Sequence, residues 1–353
     1  ANAAWGTRPQ MLSVELLEVQ PALFSLLTGH LVLNQVRIRG GRVFLENGAD
    51  GIGNWQFERG PQTGGDDRAL KVKTLTGSVL EVSYYNNSHG VTRDMVLYFI
   101  RMGAASPQDS LSVSARGTLL DVDLELDGKL GSPLAITEGE PVPVDLDIRL
   151  GDTRLQATGR LTDADFRDFD GVDLLVSASG RHPRLLKELI ETPIPLVNRF
   201  EIEGRLIGRP ARMTMQDFDG TFSTDSYDIS MTGRVDDLAT LGGIDLAVKA
   251  SGQSMTELLP AMDASWRETD SFEGTAQLLG DFPELRLKDA DVFVRLAGSG
   301  IRMSGTFGDL LHEGDLELGV EIAGSDTERL ARVTGLPIPD IDSVNILSLI
   351  HIS

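Results

Sequence analysis

Val142-Pro143-Val144-Asp145-Leu146-Asp147-Ile148-Arg149-Leu150 places an apolar side chain at every second position, with charged residues or proline between. Successive side chains of an extended chain point to opposite faces, so such a stretch is a strand with one dry and one wet face. The same period governs Val122, Leu124 and Leu126, set among Asp121, Asp123, Glu125 and Asp127. It returns at Val292, Val294 and Leu296, and at Leu316, Leu318, Val320 and Ile322. Gly-Asp, Asp-Gly and Gly-Ser steps punctuate these runs at hairpin intervals. The expectation is a mainly β chain.

Helical spacing is confined to short stretches. His182 to Glu191 gathers Leu185, Leu186, Leu189 and Ile190 on one helical face before Pro193 and Pro195 stop it. Met255–Met262 and Thr327–Val333 read similarly. These stretches recur at a fixed interval. Gly171-Val172-Asp173-Leu174 matches Gly243-Ile244-Asp245-Leu246, an offset of 72 that holds without a gap. At that offset Phe200 falls on Phe272, Met213 and Met215 on Leu285 and Leu287, Asp217 on Asp289, and Gly233 on Gly305. A third copy begins near Asp315, and Pro337-Ile338-Pro339 repeats Pro193-Ile194-Pro195 at twice the interval. Each copy reads strand, short helix, then about three strands. A unit that small cannot close a core alone, so neighbours stack edge to edge.

The expected organisation is an N-terminal unit over 1–60, a sheet extension over 61–170, and repeats at 171–242 and 243–314, with a truncated third repeat at 315–346. The tail 347–353, Leu347-Ser348-Leu349-Ile350-His351-Ile352-Ser353, matches a translated sequencing adaptor and is set aside from fold reasoning.

Composition narrows the function. The 353 residues carry a formal charge of −21, which opposes binding to nucleic acid, whose affinity rests on phosphate neutralisation. Cysteine is absent, which excludes disulfides, thiolate metal sites and cysteine nucleophiles. His30, His89, His182 and His312 stand apart without metal-ligand spacing. No Gly-x-Ser-x-Gly elbow occurs, and the Gly48, Gly51, Gly53 cluster lacks the spacing of a nucleotide loop. Asp163, Asp165, Asp168 and Asp170 before Gly171 leave room for a weak calcium loop, whereas Asp121 to Asp127 reads better as a solvated strand face. No enzyme and no cofactor is expected.

A sheet with one apolar face must cover it. Three short helices are too few for a roof, and aromatic residues, at 6%, are too scarce for a thick sandwich. Either the sheet curls into a trough or it seals against a second sheet. A trough of Val, Leu, Ile and Met suits acyl chains: at about 0.8 kcal/mol per CH₂, a chain of roughly 16 carbons gains about 10 kcal/mol or more. The residues expected to line it are Val144, Leu146, Ile148, Leu174, Val176, Met213, Met215, Leu246, Val248, Leu285, Leu287, Val292, Val294, Leu318 and Val320. The alternative is a structural or adhesive β-repeat protein with a self-sealed core.

Residues 16–58 bear on that choice. Leu26-Leu27-Thr28-Gly29 precedes a strand from Leu31 to Ile38. A second run follows at Gly40-Gly41-Arg42-Val43-Phe44-Leu45-Glu46, and then Gly51-Ile52-Gly53-Asn54-Trp55-Gln56-Phe57. This order resembles the N-terminal region of the AsmA family, in which a Gly-x-x-Asn-Trp-x-Phe turn follows two such strands. With the Pro-Ile-Pro repeats, the resemblance covers most of residues 11–346. It implies an elongated, curled, mostly antiparallel sheet forming an apolar groove, with a few short helices between repeats. It implies a non-enzymatic role in moving phospholipid for outer-membrane biogenesis in a Gram-negative envelope. The expected setting is the periplasm, anchored to the inner membrane by an N-terminal helix that the chain lacks, with both membranes as partners through the missing termini. Gly51, Asn54, Trp55 and Phe57 are expected to serve folding, by capping the first hairpin or plugging the start of the groove.

Overall fold

The computed structural model describes residues 2–22, 32–48, 53–54, 71–86, 90–162, 171–181, 197–209, 212–253, 271–296, 299–308, 316–324 and 344–352. The three expected helices, the Asp163–Asp170 loop, and Gly51, Trp55 and Phe57 lie outside them. The chain divides into two compact units, Ala1–Val176 with Ile207–Ala211, and Ser177–Leu206 with Arg212–Ser353.

Unit 1 contains β1 (Leu12–Pro21), β2 (Val32–Glu46), β3 (Lys71–Val72), β4 (Thr74–Asn86), β5 (Val91–Gly103), β6 (Leu111–Leu119), β7 (Val122–Leu130), α1 (Pro133–Glu138), β8 (Val142–Leu150) and β9 (Thr153–Leu161), then the start of β10 (Val172–Gly180). β1 pairs antiparallel with β2, β2 runs parallel to β3 and β4, and β4 to β9 follow as antiparallel neighbours. Unit 2 contains most of β11 (Arg199–Arg209), then β12 (Arg212–Ser223), β13 (Tyr227–Asp237), β14 (Gly242–Gly252), β15 (Ser271–Asp281), β16 (Glu284–Leu296), β17 (Ser299–Phe307), β18 (Leu316–Gly324) and β19 (Val344–Ile352). From β12 to β19 each strand pairs antiparallel with the next. The expected fold class is what is found: mainly β, in open, curled, mostly antiparallel sheet.

The two strands expected at Leu31–Ile38 and Gly40–Glu46 are one strand of 15 residues, β2. Gly40, at φ 61, is an extra residue inside it and not a turn between two strands. It switches the alternation, so Val36 and Ile38 share a face with Gly41 and Val43. The same switch crosses the neighbouring strands at Glu15 of β1, at Val79 of β4 (φ 54), and at Tyr98 in the β5 bulge. Extra residues bend a strand and increase its twist, so this line is a crease running across four strands.

α1 (Pro133–Glu138) is a short helix that the alternation does not foretell. Ser132 caps it by accepting from Ala135 N at 3.1 Å, Pro133 opens its first turn, and Gly139 closes it in the left-handed region at φ 72. Ser-Pro at the start and Gly just past the end are the residues that make such a turn of helix.

The β6–β7 hairpin closes on Leu120 and Asp121, at φ 51 and 62. Two positive φ values in a two-residue loop suit Asn-Gly, and a leucine there carries strain. Leu120→Asn with Asp121→Gly is expected to stabilise unit 1 by roughly 1 kcal/mol, raising its melting midpoint by about 2–4 °C in a calorimetric scan.

Candidate functional site

Directly opposed residues of paired strands share a face, so the registers trace rows of side chains across each sheet. In unit 1 one row runs Val19, Val36, Leu75, Met102, Val113, Gly128, Leu146, Ala157. Beside it runs Leu17, Ile38, Gly77, Ile100, Ala115, Leu126, Ile148, Leu155, and then Val14, Gly41, Leu80, Leu97, Gly117, Leu124, Leu150, Thr153. Each row crosses eight strands without a charged residue. Large side chains lean over the glycines: a Cβ at Gly128 would stand 2.6 Å from Leu146 Cδ2.

Unit 2 repeats the arrangement. Phe222, Ile229, Ala250, Gly274, Val292, Met303 and Val320 form one row. Met231, Val248 and Ala276 lead into a second, which continues through Ala290, Gly305 and Leu318. A third joins Phe218, Gly233, Leu246, Leu278, Leu287, Phe307 and Leu316. A fourth, Tyr227, Gly252, Phe272, Val294, Ile301 and Ile322, lies along one margin. Seven steps of about 4.8 Å from β12 to β19 span roughly 34 Å, comparable with the ~30 Å hydrocarbon core of a bilayer.

Burial grades across these rows. The marginal row is closed, with Val294 at 0% and Ile301 at 2% exposure, and Met215, Val235 and Ile244 are buried towards the opposite side. Between them Ile229, Met231, Val248, Val292, Met303, Leu318 and Val320 are only half-buried. In unit 1 Leu97, Leu124 and Leu150 are buried, while Met102, Leu126, Leu146, Ile148 and Leu155 are half-buried. A sealed sandwich would bury its central rows most deeply. Here they stay partly accessible.

The lining residues named from sequence are distributed as follows. Val144, Leu146 and Ile148 of β8, and Leu174 and Val176 of β10, belong to unit 1. Gly159 lies close against the β10 backbone: a Cβ there would stand 3.0 Å from Leu174 Cα. The others belong to unit 2. Val144, Met215, Leu246 and Val294 are buried. Leu146, Ile148, Leu174, Val176, Met213, Val248, Leu285, Leu287, Val292, Leu318 and Val320 are half-buried. Sequence reasoning missed Ile100, Met102, Met231 and Met303, which stand in the same rows. The Tyr98 bulge hides the first two from a simple period of two; Met231 and Met303 belong to the matched runs Ile229-x-Met231-x-Gly233 and Ile301-x-Met303-x-Gly305, which mark the repeat without assigning a face.

The opposite faces are wet. Asp147 is bound by Arg154 and Gln156, and the Arg154 hydrogen bond, above all, holds its carboxyl below the usual range. Asp291 receives Arg302 Nε at 2.8 Å and is lowered by the same kind of bond. A concavity of about 690 Å³ on the wet side of unit 2 is bordered by Lys249, Glu273, Thr275, Asp291, Phe293 and Arg302. Asp123, Glu125 and Asp127 stand exposed on β7, as a solvated strand face and not a calcium loop. Among the described residues no group of three or more His, Asp or Glu is placed to hold a metal ion. No helix among them is long and apolar enough to cross a membrane.

Of the Asn-Trp motif, Asn54 is described. It is buried, and its amide donates to Phe44 O at 2.8 Å and to Asn2 Oδ1 at 3.0 Å, while its Oδ1 accepts from Glu46 N at 3.1 Å. Glu46, 1% exposed, accepts from Thr7 Oγ1 at 2.6 Å, Thr7 N at 3.0 Å and Asn2 Nδ2 at 2.8 Å. Burial works to raise the Glu46 pKa, but the bonds from Thr7, Asn2 and the Arg8 backbone together hold it below its ordinary value. Arg8 covers the Phe44 ring at 3.9 Å. This knot ties residues 2–8 to the end of β2.

No protein-family model and no solved structure matches the chain. Over 83 residues, 23% of this chain, the sequence is 39% identical to the AsmA family protein YhjG of Escherichia coli (strain K12). The match spans 12% of that protein's length. The AsmA resemblance read from the residues is thereby supported by a curated relative.

Proposed function

We propose that this chain is part of an AsmA-family protein whose apolar sheet faces hold the acyl chains of phospholipids, without catalysing a reaction. The observation that carries this is the set of uncharged rows whose central members stay half-exposed. A hydrocarbon tail lying along a row exchanges water for Leu, Val, Ile and Met contacts at about 0.8 kcal/mol per CH₂. The rows offer the headgroup no partner, so it rides at the open side, towards water. The AsmA relative supports an envelope setting, and the family resemblance carries the finer reading of a periplasmic body, inner-membrane anchorage and a role in outer-membrane biogenesis. A structural or adhesive β-repeat with a self-sealed core would have its central rows closed, and their partial exposure weighs against it.

The test is photo-crosslinking to a phospholipid bearing a diazirine in its acyl chain. Leu146→Asp and Val248→Asp are each expected to cut labelling at least fivefold while circular dichroism stays unchanged, because both residues are half-buried. Labelling and fold lost in equal measure would place these residues in a closed core and end the proposal.

A further inference from the structure

The wet face of unit 2 is hollowed over β12 to β17, in the concavity of about 690 Å³. That is the size of a small-molecule site. Two adjacent wet rows floor it, one running from Thr221 to Asp291, the other from Asp228 through Glu273 and Phe293 to Arg302. Phe293 is out of place there. Among the described wet positions of β12 to β18 it is the one aromatic residue. Its ring packs against Gly300 of β17, where a Cβ would stand 3.0 Å from Cε2 and Cζ. One repeat earlier the same two positions hold Thr221 and Asp228. The ring and the glycine that seats it therefore occur together, in one copy and not in the other. Phe293 is only half-buried and borders the hollow, so part of the ring is turned to it.

The polar groups of the floor select the ligand. Arg302 and Asp291 are bound to each other, Nε to Oδ1 at 2.8 Å. That leaves Lys249, in no ion pair among the described residues, with Glu273 and Asp228 exposed on the strands either side of it. The hydroxyls of Thr221, Ser230, Ser251 and Thr275 stand between them. An ammonium donates, a carboxylate accepts and a hydroxyl does both, so the floor serves a ligand rich in groups that also do both. The strand backbones are spent on pairing with one another, which leaves an extended peptide no edge to join. Carboxylates in the floor, in a chain carrying −21, repel phosphate and sulfate groups. Among the described residues no acidic group is placed to hold a metal ion. The ligand that fits is uncharged, dense in hydroxyls, and flat and apolar on one side to lie against an aromatic ring. That is a pyranose sugar.

We propose that this hollow is a carbohydrate site, holding a short neutral oligosaccharide with one pyranose ring on Phe293 and its hydroxyls on Lys249, Glu273 and Asp228. It lies on the face opposite the apolar rows, so it stands independently of the acyl-chain reading.

The test is titration of the full chain with chitotetraose, with cellotetraose and with the charged counterpart tetragalacturonate, read by saturation-transfer NMR. The wild type is expected to bind at least one neutral sugar saturably, with a Kd of about 1 mM or below, and tetragalacturonate at least tenfold more weakly. Phe293→Ala is expected to weaken binding at least tenfold and Phe293→Tyr to retain it, both with unchanged circular dichroism. Lys249→Ser, which installs the residue found one repeat earlier at Ser177, is expected to bind at least threefold more weakly. Arg286→Ala, exposed on the wet side of β16 beyond the hollow, is expected to bind as wild type. Labelling by the acyl-chain photoprobe is expected to stay at the wild-type level in all four. No saturable binding of either neutral sugar, or wild-type binding by Phe293→Ala, overturns the proposal. Binding of tetragalacturonate alone overturns the neutral ligand. If Phe293→Ala loses its fold, Lys249→Ser decides: wild-type binding by that variant overturns the site.

Discussion

Asp289→Gly is expected to stabilise unit 2 by about 0.5–1 kcal/mol, and deletion of Asp289 is expected to leave its dry face in place. Asp289 stands at φ 50 as the extra residue of a bulge, between the pairs Leu287–Phe307 and Ala290–Gly305. On its N-terminal side Leu285 and Leu287 face the apolar rows; on its other side Ala290, Val292 and Val294 do. The two sets differ in numbering parity because one residue is spent in the bulge. Without it Leu287, Lys288, Ala290, Asp291 and Val292 follow an unbroken period of two, with Lys288 opposite Thr306. Val294, 0% exposed, keeps its inward side, and the deletion removes only the local bend and added twist of the bulge. Asp289→Gly keeps the bulge and removes the cost of a side chain in the left-handed region. Hydrogen exchange of the β15–β17 amides checks both: protection rises in the glycine variant, and in the deletion it changes only beside the bulge. Protection lost throughout β15–β17 in the deletion would show that the bulge itself holds the register. Asp217, 72 residues earlier at φ 49 beside the Met215/Phe218 register shift, is expected to respond in the same way.

Glu46→Ala is expected to cost unit 1 about 2 kcal/mol, because it removes the acceptor that Thr7 and Asn2 share at a part-buried site. The same carboxylate makes unit 1 acid-sensitive. Its pKa in the folded chain lies below its ordinary value of 4.5. Its contribution to stability is therefore complete above that value and is lost as pH falls through the folded pKa. Urea midpoints of unit 1 are expected to stay level from pH 7 to about 5 and then fall. Glu46→Gln lowers the plateau and removes Glu46's share of the acid decline. A smaller share remains through Asp147, which is lowered in the same direction but is solvent-screened beside Arg154. An identical acid slope in Glu46→Gln would remove the carboxylate from the account.

Several features of the fold and the candidate site were legible in the residues. The alternation in β7, β8 and β18 fixes strand identity and dry side, because side-chain direction along an extended chain depends only on counting. The 72-residue interval is visible as letters and again as backbone, with Gly208 and Gly280 at φ 130 and 128 and Gly233 and Gly305 at φ 148 and 157. The resemblance around Asn54 implies a folding role, while the amide bonds to Phe44, Glu46 and Asn2 are visible only in the structure.

The amino-acid sequence by itself determined that this chain makes two-faced strands, in repeats, with one face that water avoids. The tertiary structure alone decided which residues stand side by side along a row, since pairing register is a relation between strands and counting stops at each bulge. It also separated the buried from the half-buried: Val144, Leu246 and Val294 carry the same pattern as Leu146, Val248 and Val292, yet only the second three stay partly open. That difference is set by what lies over each side chain in space, a property that no local spacing encodes.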